Sequence, residues 1–271
     1  MNSRASWFAG SCMVVCLFAA SSPALCAPEC GPSVAVEPVS AGLSRITIAA
    51  SCFPSGRIVV RYDSLTLVRA LDENGALTLL FDCYLGEKPP LKLTFPDGAE
   101  VQAQLRTIDL ERVTKVALLW RGRANLDLHA LEYAADFNDA GHVWAGAPSS
   151  RWQAEERHRR DKRGHGFMTT LSDGTSEGDQ LEVYTFIHET GQASGAVTLA
   201  LDYESRARTP QEPDSCGTGL YADLEYRVSV LRPSGGVSRT RGSFAPLPCG
   251  QPSDQSARYS SKALPQLILT R

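Results

Sequence analysis

The chain has five histidines, His129, His142, His158, His165 and His188, and all of them fall within one stretch of its 271 residues. Imidazole ligates metals and moves protons near neutral pH. With Glu132 and Asp127 close by, His129 and His142 make an N/O donor set of the kind zinc accepts, and a zinc-bound water would make this a metal-dependent hydrolase. The spacing follows no standard zinc signature, however. On a strand, the three-residue step from His129 to Glu132 also points the two side chains to opposite faces. The same region could serve recognition instead: Trp120, Trp144 and Trp152 offer flat surfaces for a sugar or peptide, with Asp127 and His129 as polar contacts. Tryptophan is equally at home in a sandwich core. His158 and His165 lie within or beside a basic run and read as wet surface residues, and His188 reads as a satisfied sheet-edge residue.

Nucleophilic catalysis has little to work with. The sequence contains no Gly-x-Ser-x-Gly elbow, phosphate-cradling glycine loop or Cys-x-x-Cys pair. The acidic residues form no pair singled out for glycoside cleavage. No catalytic residue is assigned, no cofactor is implied apart from the alternative zinc, and the pattern favours a binding protein over an enzyme.

The elements that must position these residues are strands. Short alternating or β-branched blocks recur from Arg45–Ala49 through Arg57–Tyr62, Leu65–Ala70, Lys115–Trp120, Leu126–Leu131 and Gln180–His188 to Leu224–Leu231, separated by turn residues. That spacing predicts an all-β protein of antiparallel sandwiches, Ig-like or jelly-roll-like. Asp72-Glu73-Asn74-Gly75 reads as a hairpin turn, and Phe95-Pro96-Asp97-Gly98 as a second tight turn. Residues 31–110 can form a small N-terminal sandwich and residues 111–271 a larger one with loop insertions, near 204–220 and 244–258. Only Arg151 to Arg163 has a helical period. With Trp152 as its one large apolar residue, it reads as a solvated loop or short surface helix. Its basic residues, mixed with Glu155, Glu156 and Asp161, give a solvated face; the functional version of that run is an adhesive loop for lipid head groups or an anionic polymer.

The first residues set the compartment. Arg4 precedes an apolar run from Trp7 to Ala20, too short to span a bilayer comfortably, and Ser22-Pro23-Ala24 offers small residues for cleavage. Residues 1–24, or 1–27, therefore read as a cleaved signal peptide, and the product as periplasmic or secreted with no transmembrane segment in its mature part. The net charge of −3 argues against nucleic acid as an obligatory partner. The remaining partners are an envelope protein or a glycan.

Export makes the cysteines candidate staples. Cleavage after Ala24 leaves an even set, Cys26, Cys30, Cys52, Cys83, Cys216 and Cys249; cleavage after Ala27 leaves an odd one. Local closure suggests Cys30 with Cys52 and Cys216 with Cys249, and leaves Cys83 as a buried thiol or the partner of Cys26.

One segment, Val116-Ala117-Leu118-Leu119-Trp120 followed by Leu126-Asp127-Leu128-His129, resembles the YfaP-type exported bacterial β-sandwich domains, in which a strand ending in Trp precedes an Asp-Leu-His strand. The resemblance covers about 20 residues. It implies a sandwich fold and an envelope setting, with no established reaction. Where family members carry a further acidic residue this chain has Asn125, and Tyr133-Ala134-Ala135-Asp136 replaces their Pro-Asp-Gly-like turn.

Overall fold

The computed structural model describes residues 31–86, 89–122, 125–173, 178–188, 195–204, 224–244, 257–259, 264 and 267–269. Among them the chain is built from antiparallel strands and one α-helix. The strands are β1 (Ser33–Val39), β2 (Leu43–Ala49), β3 (Arg57–Tyr62), β4 (Leu65–Ala70), β5 (Ala76–Asp82), β6 (Leu91–Thr94) and β7 (Glu100–Ala103), then β8 (Val113–Arg121), β9 (Asn125–Glu132) and β10 (His142–Val143). Helix α1 (Arg151–Asp161) follows, then β11 (His165–Ser172), β12 (Asp179–Ile187), β13 (Gly195–Glu204), β14 (Leu224–Leu231), β15 (Val237–Phe244), β16 (Ala257–Tyr259) and β17 (Leu267–Leu269). This all-β architecture matches the class expected from the alternation and is compatible with sandwiches. Strands β1, β11 and β15 lay outside the clearest alternating blocks.

Four sheets result: β1-β2-β5; β4-β3-β6-β7; β11-β12-β8-β14-β15; and β10-β9-β13-β16, with β17 also on β13. The first two enclose a core in which Ile46, Ile58, Tyr62, Leu67, Phe81 and Leu93 are fully buried. That core does not stop at residue 110, because it includes Ala117 of β8 and Leu181 and Val183 of β12. The opposite face of the same sheet contributes Val116, Leu118, Tyr184 and Phe186 to a second core, facing Leu126, Leu128 and Leu201. The β11–β15 sheet is therefore covered on both faces. This explains the unbroken apolar run Val116–Trp120 within β8, since a strand covered on both sides has no solvent face to keep polar. The expected division near Leu110 coincides with a short 3-10 turn, Leu110–Arg112, entering β8; Gly31–Arg271 form one compact unit.

The Asn74-Gly75 turn forms, with Gly75 N–H donating to the Asp72 carbonyl at 3.0 Å. The hairpin expected there does not: β4 pairs with β3, whereas β5 pairs with β2. The turn passes the chain from one sheet to the other because both faces of the first core need a strand at that point. Phe95–Gly98 joins β6 to β7 as expected, and Gly98 takes φ 85°, where a side chain would be strained.

Polar groups cross the interface between the first core and the doubly covered sheet. Lys115 of β8 is fully buried and donates to Asp82 of β5 at 2.5 Å and to Thr185 Oγ1 at 3.2 Å. The other Asp82 oxygen accepts Thr169 Oγ1 at 2.9 Å. Asp179 of β12 accepts Thr66 N–H of β4 at 2.6 Å and Arg121 Nε at 2.7 Å. Cys83 is a buried thiol whose Sγ lies 3.5 Å from Ser44 Oγ, consistent with one of the two roles expected for it. Cys52 is disulfide-bonded. Cys26, Cys30, Cys216 and Cys249 lie outside the described residues, as do residues 1–30 and most of both expected loop insertions.

A buried ion pair adds little net stability but is costly to break from one side, because the lone charge stays desolvated. Asp82→Ala should therefore cost about 3 to 5 kcal/mol in urea denaturation of the full chain. Asp82→Leu with Lys115→Met should recover most of it. A cost below about 1 kcal/mol for Asp82→Ala would show that Lys115 finds another anchor.

Candidate functional site

Strand β9 sorts its side chains as its alternation requires. Leu126, Leu128 and Ala130 enter the second core, and so does the parity-matched Glu132; His129 takes the other face of the sheet. Glu132 is 2% exposed and faces the doubly covered sheet. One of its oxygens accepts Gly166 N–H at 2.6 Å and Tyr184 O–H at 2.9 Å. The other accepts His165 Nδ1 at 2.7 Å and Arg157 Nη1 at 3.4 Å. A carboxylate has about four acceptor positions, so Glu132 is saturated. Burial and the adjacent Glu132 charge push the Tyr184 hydroxyl well above the usual phenol range, so it donates as a neutral phenol.

The sequence supplies each donor by a local device. Helix α1 starts at Ser150, whose hydroxyl accepts Gln153 N–H while Gln153 Oε1 accepts Ser150 N–H, a capping box. Only Ala154 of α1 is buried. The helix therefore relies on that cap, on Arg151–Glu155 at i,i+4 and on Arg159–Glu156 at i,i+3. His158, Arg159 and Arg160 in its last turn complement the helix dipole. From this frame Arg157 reaches inward, donating also to Ser149 Oγ at 2.9 Å, Gly166 O at 2.9 Å and Ala140 O at 3.2 Å. The run expected to be a solvated loop or surface helix is a helix that sends one arginine to a buried carboxylate. At Gly166 a Cβ would lie 2.3 Å from the Tyr184 ring, so the glycine lets that ring reach Glu132.

His165 is 3% exposed, not on the wet surface expected of it. Its Nε2 lies 3.1 Å from Asp161 Oδ2, so the ring sits between two carboxylates. A basic run in the sequence conceals this, because the acids that face His165 come from β9 and from the last residue of α1.

His129 and His142 do meet, with Nδ1 of the first 2.7 Å from Nε2 of the second. Asn138 N–H donates to His142 Nδ1 at 2.9 Å, which makes that nitrogen an acceptor. His142 then carries its proton on Nε2 and donates to His129. His129 Nε2 lies 3.3 Å from Asp202 Oδ2, without hydrogen-bond geometry between them. The rings stack with Trp144, whose centroid lies 5.1 Å from His129 and 5.9 Å from His142. Phe137 closes the group at 5.3 Å from His129.

The proposed zinc set of His129, Glu132 and His142 is thus divided. The two imidazoles bond each other, while Glu132 serves four donors on the opposite face. Among the described residues no group of three His, Cys, Asp or Glu is placed to hold a metal ion. The three tryptophans do not form one platform either. Trp120 is 7% exposed within the second core, Trp144 covers the histidine pair, and Trp152 stands 63% exposed on α1. Asp127 lies opposite Asp202 in the β9–β13 register. His188 is the satisfied sheet residue expected, with Nε2 2.7 Å from Thr114 Oγ1, and burial lowers its basicity.

Beside the Glu132 network opens a cleft of about 410 Å³, lined by Tyr133, Asp139, Arg160, Asp161 and Arg163 among others. Tyr133 and Ala134 both take positive φ, 55° and 60°, and Ala135 N–H closes the turn on the Glu132 carbonyl at 3.0 Å. This is the conformation that Asn-Gly normally supplies, so a Tyr-Ala pair holds local strain. Tyr133 O–H donates to Gly164 O at 2.7 Å, and the Arg163 guanidinium lies 4.2 Å over its ring. Burial first, then the neighbouring Glu132, pushes the Tyr133 phenol up to about 12. No family model matches the sequence, and no curated protein is measurably similar to it.

A second buried acid, Glu182 of β12, is 4% exposed and accepts Leu128 N–H at 2.7 Å, capping the β9 edge beyond β10. Burial pushes its carboxyl up to about 8 despite that hydrogen bond. The native state therefore keeps a proton that the unfolded chain releases near pH 4.5. Stability should fall as pH rises from about 4.5 to about 8, with a slope of up to about 1.4 kcal/mol per unit from this group. Glu182→Gln should flatten that limb in urea denaturation series; an unchanged slope would exclude Glu182 as its source.

Proposed function

We propose that the chain is an exported, non-enzymatic β-sandwich protein that binds a partner or glycan at the bacterial cell envelope, as a recognition or structural accessory module. The observation that carries this reading is the pairing of a saturated Glu132 network with an open cleft beside it. The buried charged groups are engaged in holding the walls, and the cleft offers tyrosine, arginine and aspartate side chains suited to recognition. A reactive site would need a base or nucleophile held near its substrate and able to change partners. The histidine pair lies on the other face of its sheet, where the two imidazoles bond each other and His142 accepts the Asn138 amide.

Periplasmic or secreted placement rests on the charged, apolar and small-residue pattern of residues 1–24. The disulfide at Cys52 and the even cysteine count left by cleavage after Ala24 fit the same compartment. The YfaP-type resemblance at Val116–His129 points to the same setting, and the finer reading of the fold is two sandwiches, 31–110 and 111–271, packed through the shared β11–β15 sheet. The metal-dependent hydrolase draws no support from the positions of His129, Glu132 and His142.

Fractionation of cells making the full chain, with N-terminal sequencing and crosslinking in intact cells, tests the proposal. The expected product starts at Leu25, resides in the envelope or periplasmic fraction and is crosslinked to an envelope protein or glycan. A cytoplasmic product that keeps residues 1–24 would overturn it.

A further inference from the structure

We infer that the cleft between the end of α1 and the Tyr133–Gly141 excursion binds a hydroxylated ring bearing a carboxylate, a uronic acid residue of an anionic saccharide, with Arg163 and Arg160 as its carboxylate clamp. This rests on reading the chain as a binding protein and names its ligand class.

The cleft has the size of a small-molecule site and holds a sugar ring with room for a neighbour. Its floor brings no unbalanced acid, since Glu132 is met by Arg157 and His165. Arg163 is exposed, and among the described residues its guanidinium makes no hydrogen bond or ion pair; its one contact is the Tyr133 ring beneath it. A guanidinium stacked on an aromatic face keeps its N–H edges free and its plane fixed, the preorganised form for a planar carboxylate. Tyr133 is in turn immobilised through Gly164 O and by the two consecutive positive-φ residues. Strain of that kind persists where a side chain must be presented in one orientation.

Arg160 flanks the cleft and is held side-on by Asp161, with Nε 2.7 Å from Oδ1. Asp139 and Asp161 line the same space and can accept sugar hydroxyls, while Ala134, Ala135 and Ala140 give a small apolar wall for ring C–H groups. These two aspartates also decide between anions. They tolerate a monoanion carrying several hydroxyl donors and repel a phosphate dianion, which brings more charge and a single hydroxyl donor for the two of them.

Calorimetric titration of the purified full-length mature chain with galacturonate, trigalacturonate, galactose and inorganic phosphate tests the inference. Both uronates should bind, and galactose and phosphate should bind at least about tenfold more weakly. Arg163→Gln should weaken galacturonate at least about tenfold with an unchanged melting temperature, because Arg163 supports no buried group. Arg163→Lys should fall between the two, and Arg159→Gln, on the Glu156 side of α1, should bind as the wild type does. Tighter binding of trigalacturonate than galacturonate identifies a polymer as the source, and equal binding identifies the free sugar; either supports the clamp. Silence with both uronates, parity of galactose or phosphate with galacturonate, or full affinity in Arg163→Gln overturns it. An envelope-located protein that ignores uronates would overturn this inference alone. A cytoplasmic protein that binds them would overturn the envelope reading alone.

Discussion

The Glu132 carboxylate is the constraint around which the site is arranged. A charge removed from water is tolerable only where partners replace its hydration. Here the replacement comes from four groups on three elements: Arg157 from α1, His165 and Gly166 from β11, and Tyr184 from β12. Each donor is thereby fixed relative to β9. The helix has a single buried residue, Ala154, to hold it by packing, so side-chain bonds tether it: Arg157 to Glu132, with Arg151 to Ser40 and Asp161 to His165 beside it. The cleft inherits this rigidity because Tyr133 follows Glu132 directly and Arg160, Asp161 and Arg163 follow Arg157 within six positions.

The same logic recurs wherever the β11–β15 sheet places a polar group between its layers. Asp82 and Lys115 satisfy each other across the first interface, with Thr169 and Thr185 completing the carboxylate. Glu182 solves the problem differently, remaining protonated near neutral pH and accepting one amide. Three buried acids, one on that sheet and two on the sheets packed against its faces, thus reach three outcomes. Glu132 is saturated by four donors, Asp82 is paired with a buried ammonium, and Glu182, with one backbone donor, gives up its charge.

Much of the fold was legible in the sequence because alternation and turn chemistry are local. The split of Leu126 and Leu128 from His129, and the Pro96-Asp97-Gly98 turn, follow from side-chain period and dihedral preference alone. The Asn74-Gly75 hairpin failed because the partner of a strand is decided by which core it must cover, a non-local demand that sends β4 and β5 to different sheets. The site was legible only in part. His129 and His142 do lie together, but as a hydrogen-bonded pair that no spacing could distinguish from a ligand set. His165 and Arg157 were hidden in a run of charge, since their burial depends on a glutamate 25 to 33 residues earlier. The one local hint was Gly164-His165-Gly166, whose missing side chains leave room for Phe186 and Tyr184.

If Glu132 anchors the helix and the cleft, its effect must be visible amide by amide. Native-state hydrogen exchange on Glu132→Gln is the direct measurement, because the amide N–H₂ of glutamine would face the donors of His165 and Arg157. The expected result is a selective loss of protection at Gly166 and through Arg151–Asp161, with β8 and the rest of β12 protected as in the wild type. Unchanged protection in the helix would mean that α1 is held by something other than this carboxylate, and the account of the cleft would fail with it.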